Sequence, residues 1–158
     1  MLLLVLAAAG CGGPKKPDGL PALYPLTIHV TQEGKPLADA TVSLVTPDGS
    51  MKWVVGGVTN ADGNAKMVTH GKFDGAPEGN FSVMILKTIN EGVDEYNAAM
   101  TQGDTAAAKK IEVNMWQLVG DDYTLPKTTP IKVDVKKNTK LLEVDAGPAV
   151  KIKKPFLK

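Results

Sequence analysis

Two histidines, one cysteine and no arginine set narrow limits on the chemistry open to this 158-residue chain. Only His29 or His70 could supply an imidazole base or ligand. No second histidine lies at the i+2 or i+4 spacing of a metal site, and neither stands in an HExxH or HxxE context. His29 falls at an outward position of a strand pattern, and His70 ends another just before a glycine, which suits exposed surface histidines. A serine nucleophile of the α/β-hydrolase kind needs a GxSxG elbow, and none occurs. The lone Cys11 rules out an internal disulfide and any cysteine-built zinc centre. No catalytic, cofactor-binding or metal-ligating set is therefore expected, and the chain reads as a non-enzyme.

Calcium is the remaining metal to weigh. Asn60-Ala61-Asp62-Gly63-Asn64 places oxygen side chains at alternate positions, as a calcium loop does. A helix–loop–helix calcium site also needs a bidentate glutamate at the twelfth position, which here is Gly71. The four Asp-Gly pairs, at Asp18, Asp48, Asp62 and Asp74, are better read as turns. Met51, Met67, Met84, Met100 and Met115 are too scattered for a copper site and suit core or edge filling. Trp53, Tyr96, Trp116 and Tyr123 could stack on sugar rings, but with so few aromatics in the chain the core has first claim on them.

Charge narrows the partners. The formal net charge is +1, too small for a field that would draw in nucleic acid or an anionic membrane surface. All eighteen basic residues are lysines, so the planar fork that reads phosphate and guanine bidentately is missing. Nucleic acid is excluded as a partner.

The elements that must carry these residues are strands. Hydrophobic residues at 43%, charged residues at 22%, sixteen glycines and eleven prolines fit a turn-rich β protein better than a helical bundle. From Tyr24 onward the pattern has period two. Leu26, Ile28 and Val30 alternate with polar residues, as do Ala40, Val42 and Leu44. Trp53–Thr59, Ala65–Thr69, Phe81–Thr88, Ile131–Val135 and Lys140–Val144 continue the series, with Gly56-Gly57 marking a bulge or a close backbone approach. Asp62-Gly63 predicts a hairpin turn. About seven strands joined by short turns predict an antiparallel two-sheet sandwich. Residues 90–119 break the pattern with alanine and lysine and predict an insertion, either one or two short helices with Asp104 as an N-cap or an irregular, disordered surface loop. Tyr96, Met100, Ile111 and Met115 are expected to pack that insertion onto the sandwich edge.

The lead segment bears on location. Residues 1–10 read MLLLVLAAAG, an apolar run well short of the roughly 20 residues that cross a bilayer and suited to the h-region of a signal peptide. Ala8-Ala9-Gly10-Cys11 resembles the lipobox of bacterial lipoproteins, which implies lipidation of the Cys11 thiol. Residues 11–23, rich in Gly, Pro and Lys, then read as a flexible tether.

Three phrases together resemble the carboxypeptidase regulatory-like domain, a transthyretin-like or prealbumin-like sandwich of bacterial surface proteins. They are Gly34–Val42 (GKPLADATV), Thr59–Gly63 (TNADG) and Asp74–Val83 (DGAPEGNFSV). The stretch from Asp121-Asp122-Tyr123 to Pro130-Ile131 is similar to the C-terminal half of small lipoproteins carrying this domain in planctomycete-type bacteria. The resemblance implies a scaffolding or accessory module over residues 24–147, with 148–158 as a C-terminal tail, and it brings no catalytic set. The related hydroxyisourate hydrolases depend on an arginine and a C-terminal Tyr-Arg-Gly-Ser tail, and this chain ends in Lys-Pro-Phe-Leu-Lys. Together these features predict a lipid-anchored protein of the bacterial cell envelope, tied to a membrane through Cys11. It would present a structural or adhesive surface to another envelope protein, or, as the alternative, bind carbohydrate or peptide.

Overall fold

The computed structural model describes residues 15–50 and 52–155. The expected signal peptide, the lipidation site Cys11 and Met51 lie outside them. The fold is all-β, with short helical segments confined to two connections.

A six-stranded sheet runs in the order Lys132–Val135, Gly79–Leu86, Thr41–Val45, Val55–Val58, Val68–Thr69 and Phe73–Asp74, antiparallel throughout. Facing it is a smaller sheet centred on Thr27–Gln32, which pairs with Leu141–Asp145, Lys35–Pro36 and Asn64–Lys66. The alternation legible in sequence fills the space between them. Ile28, Val30, Ala65 and Val144 from one sheet meet Val42, Leu44, Val55, Val83 and Ile85 from the other in one buried cluster. Complete burial of a side chain such as Ile28 is worth about 1.5–3 kcal/mol.

Several boundaries differ from the sequence reading. The described residues form fifteen strands, of which eight answer to the seven expected. The other seven, each only two to four residues long, lie before, between or after them. Residues 65–69, read as one strand, belong to both sheets. Asn64–Lys66 pairs with Thr27–Gln32, Val68–Thr69 pairs with Val55–Val58, and buried Met67 marks the crossing. The Asn60–Gly63 turn forms, but it arches from one sheet to the other and closes no hairpin. One pair departs from the antiparallel pattern, since Leu141–Asp145 runs parallel to Thr27–Gln32. Gly57 is the close approach expected of the Gly56-Gly57 pair, because a Cβ there would collide with the Lys66 carbonyl.

The insertion is a hairpin with helices at its tip. Thr88–Glu91 pairs with Asn114–Gln117, and between them stand helices Val93–Thr101 and Thr105–Ala108. Asp104 caps the second helix as expected, its Oδ1 accepting the Ala107 N–H at 2.9 Å. The expected docking of Tyr96 and Met100 is not seen. They are 38% and 46% exposed, and the first helix buries no residue. With so little apolar surface to bury, that helix packs chiefly on its neighbour. Ile111 and Met115 are half-buried, the latter in a strand. The stretch read as a C-terminal tail carries Ile152–Lys154, which pairs with Asn114–Gln117 and makes this sheet three-stranded.

Gly63 gives the sharpest test of the arch. Its φ is 75°, and an added Cβ would strike the Val30 carbonyl oxygen. A β-branched residue tolerates that φ poorly, so Gly63→Val should cost at least about 1–3 kcal/mol and lower the thermal midpoint by several degrees. An unchanged midpoint in a calorimetric scan would show that the turn is not formed.

Candidate functional site

The two histidines are not brought together. His29 lies on the outer side of the smaller sheet, half-buried, with Nδ1 3.1 Å from Asn64 Oδ1. Glu143 is its register partner on the parallel strand and is solvent-exposed. His70 follows the end of a strand of the other sheet, exposed and in left-handed backbone (φ 52°), with its N–H donating to the Val54 carbonyl at 2.7 Å. Its ring stands edge-on to Trp53 at 5.2 Å. Among the described residues no group of three or more His, Cys, Asp or Glu side chains is placed to hold a metal.

The acidic turns have internal uses for their oxygens. Asn60 Oδ1 accepts the N–H groups of Asp62 (3.1 Å) and Asn64 (2.9 Å), which organises the arch. Asp48 accepts the Ser50 N–H at 3.0 Å and the Ser50 hydroxyl at 2.8 Å. Hydrogen bonding by Thr46, and then by Ser50, holds the Asp48 carboxyl at about 2. The aromatics are distributed over four elements. Trp53 sits beside His70, Tyr96 lies on the first helix, Trp116 is in the three-stranded sheet, and Tyr123 packs against the core. That dispersal gives no shared platform for a sugar.

What distinguishes the molecule is the contrast between the outer faces of its two main sheets. The smaller sheet turns His29, Lys66, Glu143 and Asp145 outward, a mostly polar and charged surface with one exposed apolar residue, Leu141. The six-stranded sheet presents two uncharged rows across its middle. One row is Leu86, Thr41 and Val58; the other is Met84, Ser43, Gly56 and Val68. Val58 is 62% exposed and Leu86 41%. Charge stands on the two edge strands, with Lys132 and Asp134 at one side and Asp74, the register partner of Val68, at the other. Depletion of charge around exposed apolar side chains is the composition of an interface centre. Sequence reading did not single out this face, although the run Phe81–Leu86 carried the signal. Met84 and Leu86 are apolar on the side where a solvated sheet would place polar residues.

The three-stranded sheet differs again, in carrying charge pairs. Lys151 pairs with Glu91 at 2.8 Å, Lys153 with Glu112 at 3.2 Å, and Lys154 with Asp121 at 2.6 Å. Glu91 also accepts the Trp116 indole N–H at 2.7 Å, with Lys151 over the ring at 4.5 Å. Hydrogen bonds from Lys151 and then Trp116 hold Glu91 below its ordinary value. Lys153 does the same for Glu112, and Lys154, then Gln117, for Asp121. These groups clamp the last strand; they form no reactive site.

Comparison with protein-family models, with curated proteins and with solved structures finds no match.

Two expectations follow. The three carboxyls titrate lower in the folded protein than in the unfolded chain. Their contribution is therefore present above the ordinary carboxylate range and is lost as pH falls through the folded values. Protection factors of the amides in Ile152–Lys154, corrected for the slower intrinsic exchange in acid, should fall on acidification before those of Ile28 and Val30 do. Loss of protection in all of them together would show that the clamp is not local. The second concerns metals. Because Asn60 spends its side-chain oxygen on backbone N–H groups, the melting temperature should be the same with EDTA or with millimolar calcium. A rise of several degrees with calcium, the response to a site near saturation, would overturn the turn reading.

Proposed function

We propose that this chain is a non-enzymatic, lipid-anchored module of the bacterial cell envelope, tethered through Cys11 and built as a carboxypeptidase regulatory-like sandwich. It presents the outer face of its six-stranded sheet to another envelope protein. The observation that carries this reading is the contrast between the two outer faces. Exposed Val58 and Leu86 lie in rows that carry no charge on the central strands of the six-stranded sheet, while the smaller sheet turns Lys66, Glu143 and Asp145 outward beside Leu141. Val58 borders the depression that Lys66, Lys140 and Leu141 line. Apolar side chains left in water on a flat sheet gain free energy when a partner covers them, at about 25 cal/mol per Å². The lipid anchor rests on the sequence, through Ala8-Ala9-Gly10-Cys11 at the end of an apolar run.

Two experiments divide the reading into its parts. Cys11→Ser should abolish incorporation of labelled fatty acid in cells, and undiminished label in that variant would sink the anchor. A photo-crosslinking residue placed at Val58 or Leu86 should trap a discrete envelope protein, and one at Glu143 should not. Val58→Lys should remove the Leu86 adduct while leaving the thermal midpoint within about 0.5 kcal/mol of the parent, as exposed substitutions do. Equal adducts from both faces would overturn the assignment of the surface.

A further inference from the structure

Where the described chain begins, it meets a cluster of lysines. Lys15, Lys16 and Lys72 line an open depression of about 520 Å³ together with Trp53, His70 and Asp18. Lys52 adds a fourth ammonium group, 5.4 Å from the Trp53 ring centre and close to Gly19. All four lysines are exposed, and among the described residues none lies within 4.0 Å of a carboxylate oxygen. The lysines around Trp116 do have carboxylate partners. Asp18 is the one carboxylate lining the depression. Glu78, in the adjoining depression, accepts the Lys137 N–H at 2.7 Å. Trp53 is half-buried and braced edge-on by His70.

We infer that this lysine–tryptophan patch docks on an anionic bilayer surface and so fixes the orientation of the domain. The inference rests on the anchor at Cys11 proposed above. Only three residues separate Cys11 from Lys15, four steps of the chain with a reach of at most about 14 Å. An anchored chain therefore holds the patch near the headgroups, where a lysine is worth about 1 kcal/mol against anionic lipid. The field acts over about 8–10 Å, which matches that reach. An indole with an apolar body and one polar N–H suits the headgroup boundary. Lysine also fits the task, since diffuse attraction to mobile headgroups asks for point charges and no bidentate fork. In this pose the Phe73–Asp74 edge of the six-stranded sheet lies toward the bilayer, and the Lys132–Val135 edge points away.

The test uses the full chain and two vesicle types, phosphatidylcholine alone and equal parts phosphatidylcholine and phosphatidylglycerol. The apolar lead segment is common to all variants and does not discriminate by charge. The parent should partition more strongly into the anionic vesicles. The triple variant Lys16→Gln, Lys52→Gln, Lys72→Gln should lose about fivefold per lysine on those vesicles and nothing on phosphatidylcholine. In a Trp116→Phe background, where Trp53 is the one remaining tryptophan, its emission should shift to the blue on the anionic vesicles alone. Equal partition of the parent into both vesicles, or an unchanged anionic preference in the triple variant, would overturn the patch. The anchor is read separately, by fatty-acid labelling of Cys11 in cells. Missing label with an intact anionic preference counts against the anchor alone. Label present with equal partition counts against the patch alone.

Discussion

Met67 sits where the chain leaves the smaller sheet and enters the six-stranded one, and closure of the sandwich depends on that crossing. Asn64–Lys66 is hydrogen-bonded to Thr27–Gln32, and two residues later Val68–Thr69 is hydrogen-bonded to Val55–Val58. The Met67 N–H donates to the Leu26 carbonyl at 2.9 Å, and its carbonyl accepts the Gly75 N–H at 2.8 Å. One short segment thus fixes the spacing and relative angle of both sheets. An unbranched thioether at the crossing fills the irregular gap that a strand bend leaves. Gly57 belongs to the same device, because the Lys66 carbonyl occupies the space its Cβ would take.

A sandwich tied in this way has two outer faces with independent compositions, and this chain uses that freedom. The smaller sheet is solvated in the ordinary manner, with His29, Glu143 and Asp145 outward. The larger sheet keeps Met84, Leu86, Val58 and Val68 outward around Ser43 and Gly56. The third sheet is held by its backbone ladder, and the exposed lysine–carboxylate pairs along it add a small term that acid and salt weaken. Hydrophobic burial holds the centre of the molecule, and backbone pairing with ion pairs along it holds the periphery.

The strands and their buried sides were readable because period-two patterning is a local signal. Ile28 and Val30, Val42 and Leu44, and Val83 and Ile85 all face inward as the alternation requires. Partner choice is not local. Nothing in residues 64–69 marks Met67 as a crossing, since either pairing buries the same side chains. The parallel register of Leu141–Asp145 is equally silent, for its alternation would serve an antiparallel neighbour as well. The helices at residues 93–108 were visible through alanine content and the Asp104 cap, but propensity does not say whether a helix finds a surface to pack on. The exposed rows of the large sheet were hidden for a related reason. Each row is assembled from strands far apart in sequence, and only the excess of apolar residues in Phe81–Leu86 hinted at it.

The parallel pairing of the first long strand with one of the last carries a consequence in time. Thr31 and Asp145 are neighbours in space and 114 residues apart in sequence. Chains grow at about 5–20 residues per second, so Thr27–Gln32 waits roughly 6–23 s for its neighbour to be synthesised. Loop closure over that distance then adds the slow step expected of non-local sheets. Until Leu141–Asp145 arrives, one edge of the central strand is open and the smaller sheet lacks Val144 over its core. Such delay leaves that edge unpaired, and the chain short of its closed sandwich, until nearly all of it has been made.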